Sequence, residues 1–143
     1  MQSNPKLIAL VAAGLTGIGY NANMKLVEYQ TTCTKLQAAH ELLIGQVDPR
    51  MAFTDGEARR TAAQAQANAH AGIGIANSLH IIGLARDKFL TIDGKVTFEP
   101  KHYLQAGVLW EELGKNFGVP TVWGGRWKSV DAVHFSCGRG GIG

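Results

Sequence analysis

Two histidines and two aspartates in the second half of the chain are of the types that build a catalytic metal site: His80, Asp87, Asp131 and His134. A catalytic zinc site typically has three protein ligands and one open position for water, and imidazole and carboxylate groups are suitable donors. A further carboxylate outside the ligand set can act as a general base toward that water. We therefore interpret His80, Asp87 and His134 as candidate ligands and Asp131 as the candidate base. The donor set alone would also accept other divalent ions.

The same residues also have ordinary structural interpretations. Spacing of this kind arises often by chance, and a single histidine is more often a surface residue or a hydrogen-bonded core residue than a ligand. Asp87 lies between two basic residues and could be a solvated carboxylate, whereas Asp131 could be a turn residue. The histidines that belong to no motif are interpreted as structural: His40, His70 and His102.

Three stretches of sequence supply the context that spacing lacks. They are GEARRTAAQ at 56–64, SLHIIGLARD at 78–87 and WGGRWKSVDAVHF at 123–135. In this order they resemble the G-E-x-x-R-T-x-x-Q, S-x-H-x-x-G-x-A-x-D and W-G-G…D-x-x-H-F elements of the zinc D-alanyl-D-alanine carboxypeptidase and L-alanyl-D-glutamate endopeptidase family. The combination of the three motifs is specific, whereas any one motif alone would not be specific. Together they span well over half the chain.

The resemblance implies a role for each matching residue. His80, Asp87 and His134 would hold Zn²⁺, and Asp131 would take a proton from the attacking water and later protonate the leaving amine. Many relatives have Glu where this chain has Asp131, and the shorter side chain is typical of some phage endopeptidases.

Residues outside the ligand set also match the family pattern. Arg60 would polarise the scissile carbonyl and stabilise the oxyanion, and Gln64 follows it one helical turn later. Ser78 would help to orient a ligand. Trp123 and Trp127 are expected either to line the peptide groove or to pack in the core.

The elements that must position these residues follow from hydrophobic periodicity and turn signals. One or two helices are predicted over 26–47, ended by Asp48-Pro49, and further helices are predicted over 57–70 and 101–115. Within the last helix, Leu104, Val108, Leu109 and Leu113 form a predicted apolar stripe. Strands are predicted at 51–55, within 80–92, after the Asp93-Gly94 turn, and in the aromatic-rich segment 121–136. The predicted fold class is α+β, a small, mostly antiparallel sheet with flanking helices, and the resemblance implies the D-Ala-D-Ala carboxypeptidase/hedgehog type.

The first 24 residues differ in composition from the predicted peptidase domain at 25–143. Residues 7–24 carry no charge and are rich in glycine and alanine. A membrane-spanning helix needs roughly 20 strongly apolar residues, so this segment is a weak candidate for one. A cleaved signal, a membrane anchor and a packed helix all stay open, and membrane contact is expected only through this segment.

Charge and cysteine content narrow the class of protein only slightly. The chain of 143 residues has a formal net charge of +3, and its basic residues form no cluster. We therefore predict no nucleic-acid partner. Cys33 and Cys137 lack C-x-x-C spacing, and a bridge between them requires an oxidising compartment. Two free, buried thiols are the favoured interpretation.

The sequence thus predicts a zinc peptidase that acts on bacterial peptidoglycan stem peptides, most consistent with an L-alanyl-D-glutamate endopeptidase serving as a phage endolysin. Small size and the phage-like helix start indicate that origin, with action in the host periplasm or cell wall. Two alternatives remain at this point. One is a D,D-carboxypeptidase or dipeptidase of the same fold, and the other is a non-catalytic virion protein that keeps the fold.

Overall fold

The computed structural model describes residues 20–21, 23–55 and 83–138. Within these residues we number two α-helices and five strands in chain order. They are α1 (Leu26–Val47), β1 (Met51–Asp55), β2 (Ala85–Ile92), β3 (Lys95–Thr97), α2 (Leu104–Phe117), β4 (Thr121–Trp123) and β5 (His134–Cys137). Short 3-10 helices cover Pro100–Tyr103 and Gly124–Arg126.

The strands form one antiparallel sheet in the order β1-β2-β5-β4. Strand β2 is its centre, because β1 pairs along one edge while β5 and β3 share the other edge. Strand β4 then pairs with β5. The arrangement confirms the predicted α+β class with a small antiparallel sheet.

Helix α1 is a single continuous helix, which settles the prediction of one or two. It ends where Asp48 leaves helical geometry at φ −141°, and the Asp48 N–H donates to the Ile44 carbonyl oxygen (3.0 Å). Pro49 follows Asp48, and a residue that precedes proline is biased toward extended backbone. The side chains buried on α1 are Tyr29, Thr32, Cys33, Leu36, Gln37, Ala39, His40, Leu43 and Ile44.

The predicted turn at Asp93-Gly94 joins β2 to β3. Asp93 has φ 52° and Gly94 has φ 78°, and two successive positive φ values are what a two-residue type I′ hairpin requires. Asp and Gly tolerate this region better than other residues. The turn was therefore readable from the sequence, and it is confirmed.

Helix α2 confirms the predicted helix but not its whole apolar stripe. Leu104 is 44% exposed, whereas Leu109, Trp110 and Leu113 are buried. Helix α2 is rotated so that Trp110 enters the core, where its indole N–H donates to the carbonyl oxygens of Val122 and Ser136 (both 3.1 Å). Leu104, in the first turn, consequently lies toward solvent.

A disulfide joins Cys33 on α1 to Cys137 on β5. The favoured prediction of two free thiols is therefore wrong. The cysteines lie on facing surfaces of a helix and a strand with their Cα atoms 6.1 Å apart, which is within the range a disulfide can span. The sequence could not supply that distance, because the two residues meet only when α1 packs on the sheet.

Several predictions fall outside the described residues. These are the helix over 57–70 and the structure of segment 7–24, apart from its last few residues. Within the described part of the chain, no helix is long and apolar enough to cross a membrane.

Candidate metal centre

Strand pairing brings Asp87 and His134 together. They are directly opposite each other in the antiparallel register of β2 and β5, so their side chains share one face of the sheet. Their chain neighbours Lys88 and Phe135 are buried on the other face, as strand alternation requires. The candidate ligands therefore lie on the face opposite α1.

Asp131 reaches the same place through the loop between β4 and β5. The Gly124 carbonyl oxygen accepts hydrogen bonds from the N–H groups of Asp131 (2.9 Å) and Trp127 (3.2 Å), and the His134 N–H donates to the Asp131 carbonyl oxygen (3.2 Å). A Cβ atom on Gly124 would collide with the Asp131 carbonyl oxygen and come within 2.9 Å of His134 Cβ. Glycine at position 124 therefore permits the Asp131 carbonyl to approach the Gly124 backbone closely, and this approach places Asp131 close to His134.

The side chains of Asp87, Asp131 and His134 form a group whose potential ligand atoms all lie within 4.8 Å of one another. His134 Nδ1 is 3.9 Å from Asp87 Oδ1. Zinc binds nitrogen and oxygen at about 2.0–2.2 Å with tetrahedral geometry, so neighbouring donors lie roughly 3.3–3.6 Å apart. The observed spacing needs only a small adjustment, and the donor types suit Zn²⁺. The structure thus brings together three of the four residues predicted for the site.

The remaining predicted residues divide into two groups. His80, Arg60, Gln64 and Ser78 lie outside the described residues. Trp123 is only 5% exposed, and its indole N–H donates to the Ala132 carbonyl oxygen (2.8 Å). Trp123 thus packs in the core and supports the loop rather than lining a groove.

Trp127, in contrast, lies against the candidate ligand. Its ring centroid is 4.6 Å from that of His134, with the ring planes inclined at 44°. It is the tryptophan placed to shape the immediate surroundings of the site.

A buried polar pair lies on the face of the sheet opposite the site. The Lys88 ammonium lies 2.7 Å from His40 Nδ1, and His40 Nε2 lies 2.8 Å from the Ala106 carbonyl oxygen. A neutral imidazole that donates from Nε2 and accepts at Nδ1 satisfies both contacts. Burial, and then the charge of Lys88, lower the pKa of His40 well below 6.5, although the Ala106 carbonyl opposes them. His40 is therefore a hydrogen-bonded core residue, which is one of the two structural interpretations left open from the sequence.

Sequence reasoning missed Ser136. Its hydroxyl oxygen lies 2.9 Å from His134 Nε2, and Ser136 is fully buried. The available signal was strand alternation, because residues two apart on a strand share a face.

Comparison with known proteins supports the fold and the peptidase class. The crystal structure of the Serratia marcescens L-Ala D-Glu endopeptidase ChiX superimposes with a TM-score of 0.61 at 25% sequence identity. The match covers 78% of this chain and 79% of that chain. No protein-family model matches the chain, and no curated protein sequence does.

The structural likeness and the motif resemblance point the same way. A match across most of both chains supports the α+β fold of that endopeptidase for this chain. It also supports the peptidase family identified from the three motifs, and hence a hydrolase.

Proposed function

We propose that the chain is a zinc-dependent peptidoglycan peptidase that hydrolyses the L-alanyl-D-glutamate bond of the stem peptide. The observation that carries the proposal is the convergence of Asp87, Asp131 and His134 in a fold similar to that of an L-Ala D-Glu endopeptidase. Function resides in the site rather than in the fold, so the proposal depends on these side chains.

The donor set divides into two roles. Asp87 and His134, together with His80, hold the metal, and a bound zinc ion supplies Lewis acidity toward water and the scissile carbonyl. Asp131 accepts the proton of the attacking water and delivers it to the leaving amine. The position of Asp131 supports this role, because its carboxylate lies within reach of both ligands while its backbone is fixed by the Gly124 carbonyl.

Other parts of the proposal rest on the amino-acid sequence alone. Arg60 stabilises the oxyanion, with Gln64 and Ser78 in supporting positions. The peptidase domain comprises 25–143, and residues 1–24 form a signal, an anchor or a packed helix. The resemblance of GEARRTAAQ to phage members suggests an endolysin that acts in the host periplasm or cell wall.

The decisive experiment is digestion of purified peptidoglycan with and without a chelator, followed by mass spectrometry of the released fragments. The proposal predicts new L-Ala carboxyl termini and D-Glu amino termini, and no products after chelation. Loss of terminal D-Ala alone would instead indicate a D,D-carboxypeptidase. Full activity in a protein that carries no metal would refute the proposal.

A variant of Asp131 tests the division of roles. Asp131→Asn should retain zinc and fold, yet lower the turnover rate by about a hundredfold or more, the scale of a lost general base. Asp93→Asn is a matched control, because Asp93 is exposed in the β2–β3 turn and Asn also tolerates its positive φ. If Asp131→Asn lost its zinc in proportion to its activity, Asp131 would be a ligand instead.

A further inference from the structure

The buried hydroxyl of Ser136 has a consequence for the metal site, and the inference rests on the proposed zinc function. Ser136 and His134 lie two residues apart on β5, so their side chains project from the same face. The backbone of Ser136 is fixed on both sides, because Ser136 pairs with Ala85 of β2 and Val122 of β4. Its carbonyl oxygen also accepts from the Trp110 indole. The hydroxyl is therefore held rigidly beside the imidazole.

The two nitrogens of His134 have different surroundings. Nδ1 faces Asp87 Oδ1 at 3.9 Å, whereas Nε2 lies 2.9 Å from Ser136 Oγ. A metal held with Asp87 must therefore be bound through the Nδ1 lone pair. A neutral imidazole has one N–H, so binding through Nδ1 requires that Nε2 carry the hydrogen.

We propose that Ser136 is a positioning residue that accepts the Nε2–H hydrogen bond of His134 and so presents the Nδ1 lone pair to the metal. His134 is 5% exposed and Ser136 is 0% exposed. Water therefore has little access to replace the hydroxyl, and an unpaired buried N–H is costly. Partners of this kind fix the tautomer and ring orientation of a ligand histidine.

The Ser136 hydroxyl should stabilise the metal-bound state more than it stabilises the metal-free state. Without metal, the imidazole hydrogen can move to Nδ1, where the Asp87 carboxylate lies nearby. With metal bound at Nδ1, the hydrogen has no alternative to Nε2. Loss of the hydroxyl should therefore weaken metal binding far more than it destabilises the metal-free fold, and a packing role alone would not produce this difference.

The test compares Ser136→Ala, Ser136→Thr and Ser129→Ala, the last being an exposed serine in the β4–β5 loop. Zinc affinity is measured by competition with a chromogenic chelator, and the unfolding temperature is measured on the metal-free proteins. Ser136→Ala should bind zinc about 10- to 100-fold more weakly, the scale of a lost outer-shell partner. Its metal-free unfolding temperature should stay close to that of the wild type. Ser136→Thr keeps a hydroxyl and should restore affinity, and Ser129→Ala should match the wild type.

A spectroscopic measurement on the wild type covers the case in which the substitutions disturb folding. Long-range ¹H–¹⁵N correlation of the zinc-loaded protein should show His134 protonated at Nε2 and metal-bound at Nδ1. The reverse assignment would overturn the inference, as would wild-type zinc affinity in a folded Ser136→Ala variant. Absence of zinc binding by the wild type would instead refute the proposed function itself.

Discussion

Reduction of the Cys33–Cys137 disulfide should destabilise the protein without unfolding it. The bridge joins residues 104 positions apart, so its loss releases a long loop in the unfolded chain. Loop-closure entropy for about 100 residues corresponds to about 4.7 kcal/mol, and removal of native disulfides typically costs about 2–5 kcal/mol. We expect the free energy of unfolding to fall by an amount in this range.

The reduced protein should still fold, because α1 keeps other hydrogen bonds to β5 and to the residue that follows it. The Gln37 side-chain amide donates to the Phe135 carbonyl oxygen (2.9 Å), and the Tyr29 hydroxyl donates to the Gly138 carbonyl oxygen (2.6 Å). Neither bond involves a cysteine side chain.

The assay is urea unfolding of the oxidised protein, of protein refolded in reductant, and of a Cys33→Ala/Cys137→Ala double variant. Free energies must be compared rather than midpoints, because a cross-link makes the unfolded state more compact and lowers the m-value. Equal free energies for the oxidised and reduced proteins would refute the entropic reasoning. Two thiols that react freely in the unfolded, unreduced protein would show that the bridge does not form.

Two further predictions concern His40 and Gly124. The pKa of His40 in the folded protein lies well below its unfolded value of 6.5. As the pH falls below 6.5, the unfolded state therefore binds a proton at His40 that the folded state does not bind. The stability that is present above pH 6.5 is lost as the pH falls below that value. The stability that a neutral His40 contributes should therefore be smaller at about pH 5.5 than at about pH 7.5. Urea unfolding at both pH values should show that His40→Gln removes this part of the pH dependence of the free energy of unfolding; an unchanged pH dependence would contradict a lowered pKa for His40. Gly124→Ala should displace the Asp131 loop, weaken zinc binding in a chelator competition and cost roughly 1–3 kcal/mol in urea unfolding. Gly45→Ala is the control, because its added Cβ would meet only the Met51 carbonyl oxygen at 3.6 Å; equal effects of the two substitutions would show that the close approach at Gly124 is unimportant.

The sequence by itself determined the features that depend on neighbouring residues. The Asp93-Gly94 turn follows from the φ preferences of two residues, and the end of α2 follows from Gly118, which adopts φ 66°. The chemical types in the site were also readable, since an imidazole and carboxylates suit a divalent metal whatever their placement. Motif order supplied the peptidase class, with which the ChiX likeness agrees.

Only the tertiary structure decided which of these groups meet and which faces they occupy. The register of β2 against β5 sets Asp87 opposite His134, and no local preference encodes a register between distant segments. The rotation of α2 exposed Leu104, and the packing of α1 on the sheet brought Cys33 to Cys137. Ser136 gained its importance in the same way, because a hydroxyl becomes a defined partner only when burial excludes water and a strand fixes its direction. Such contacts depend on the free energy of the whole packed core, to which residues far apart in the chain contribute together.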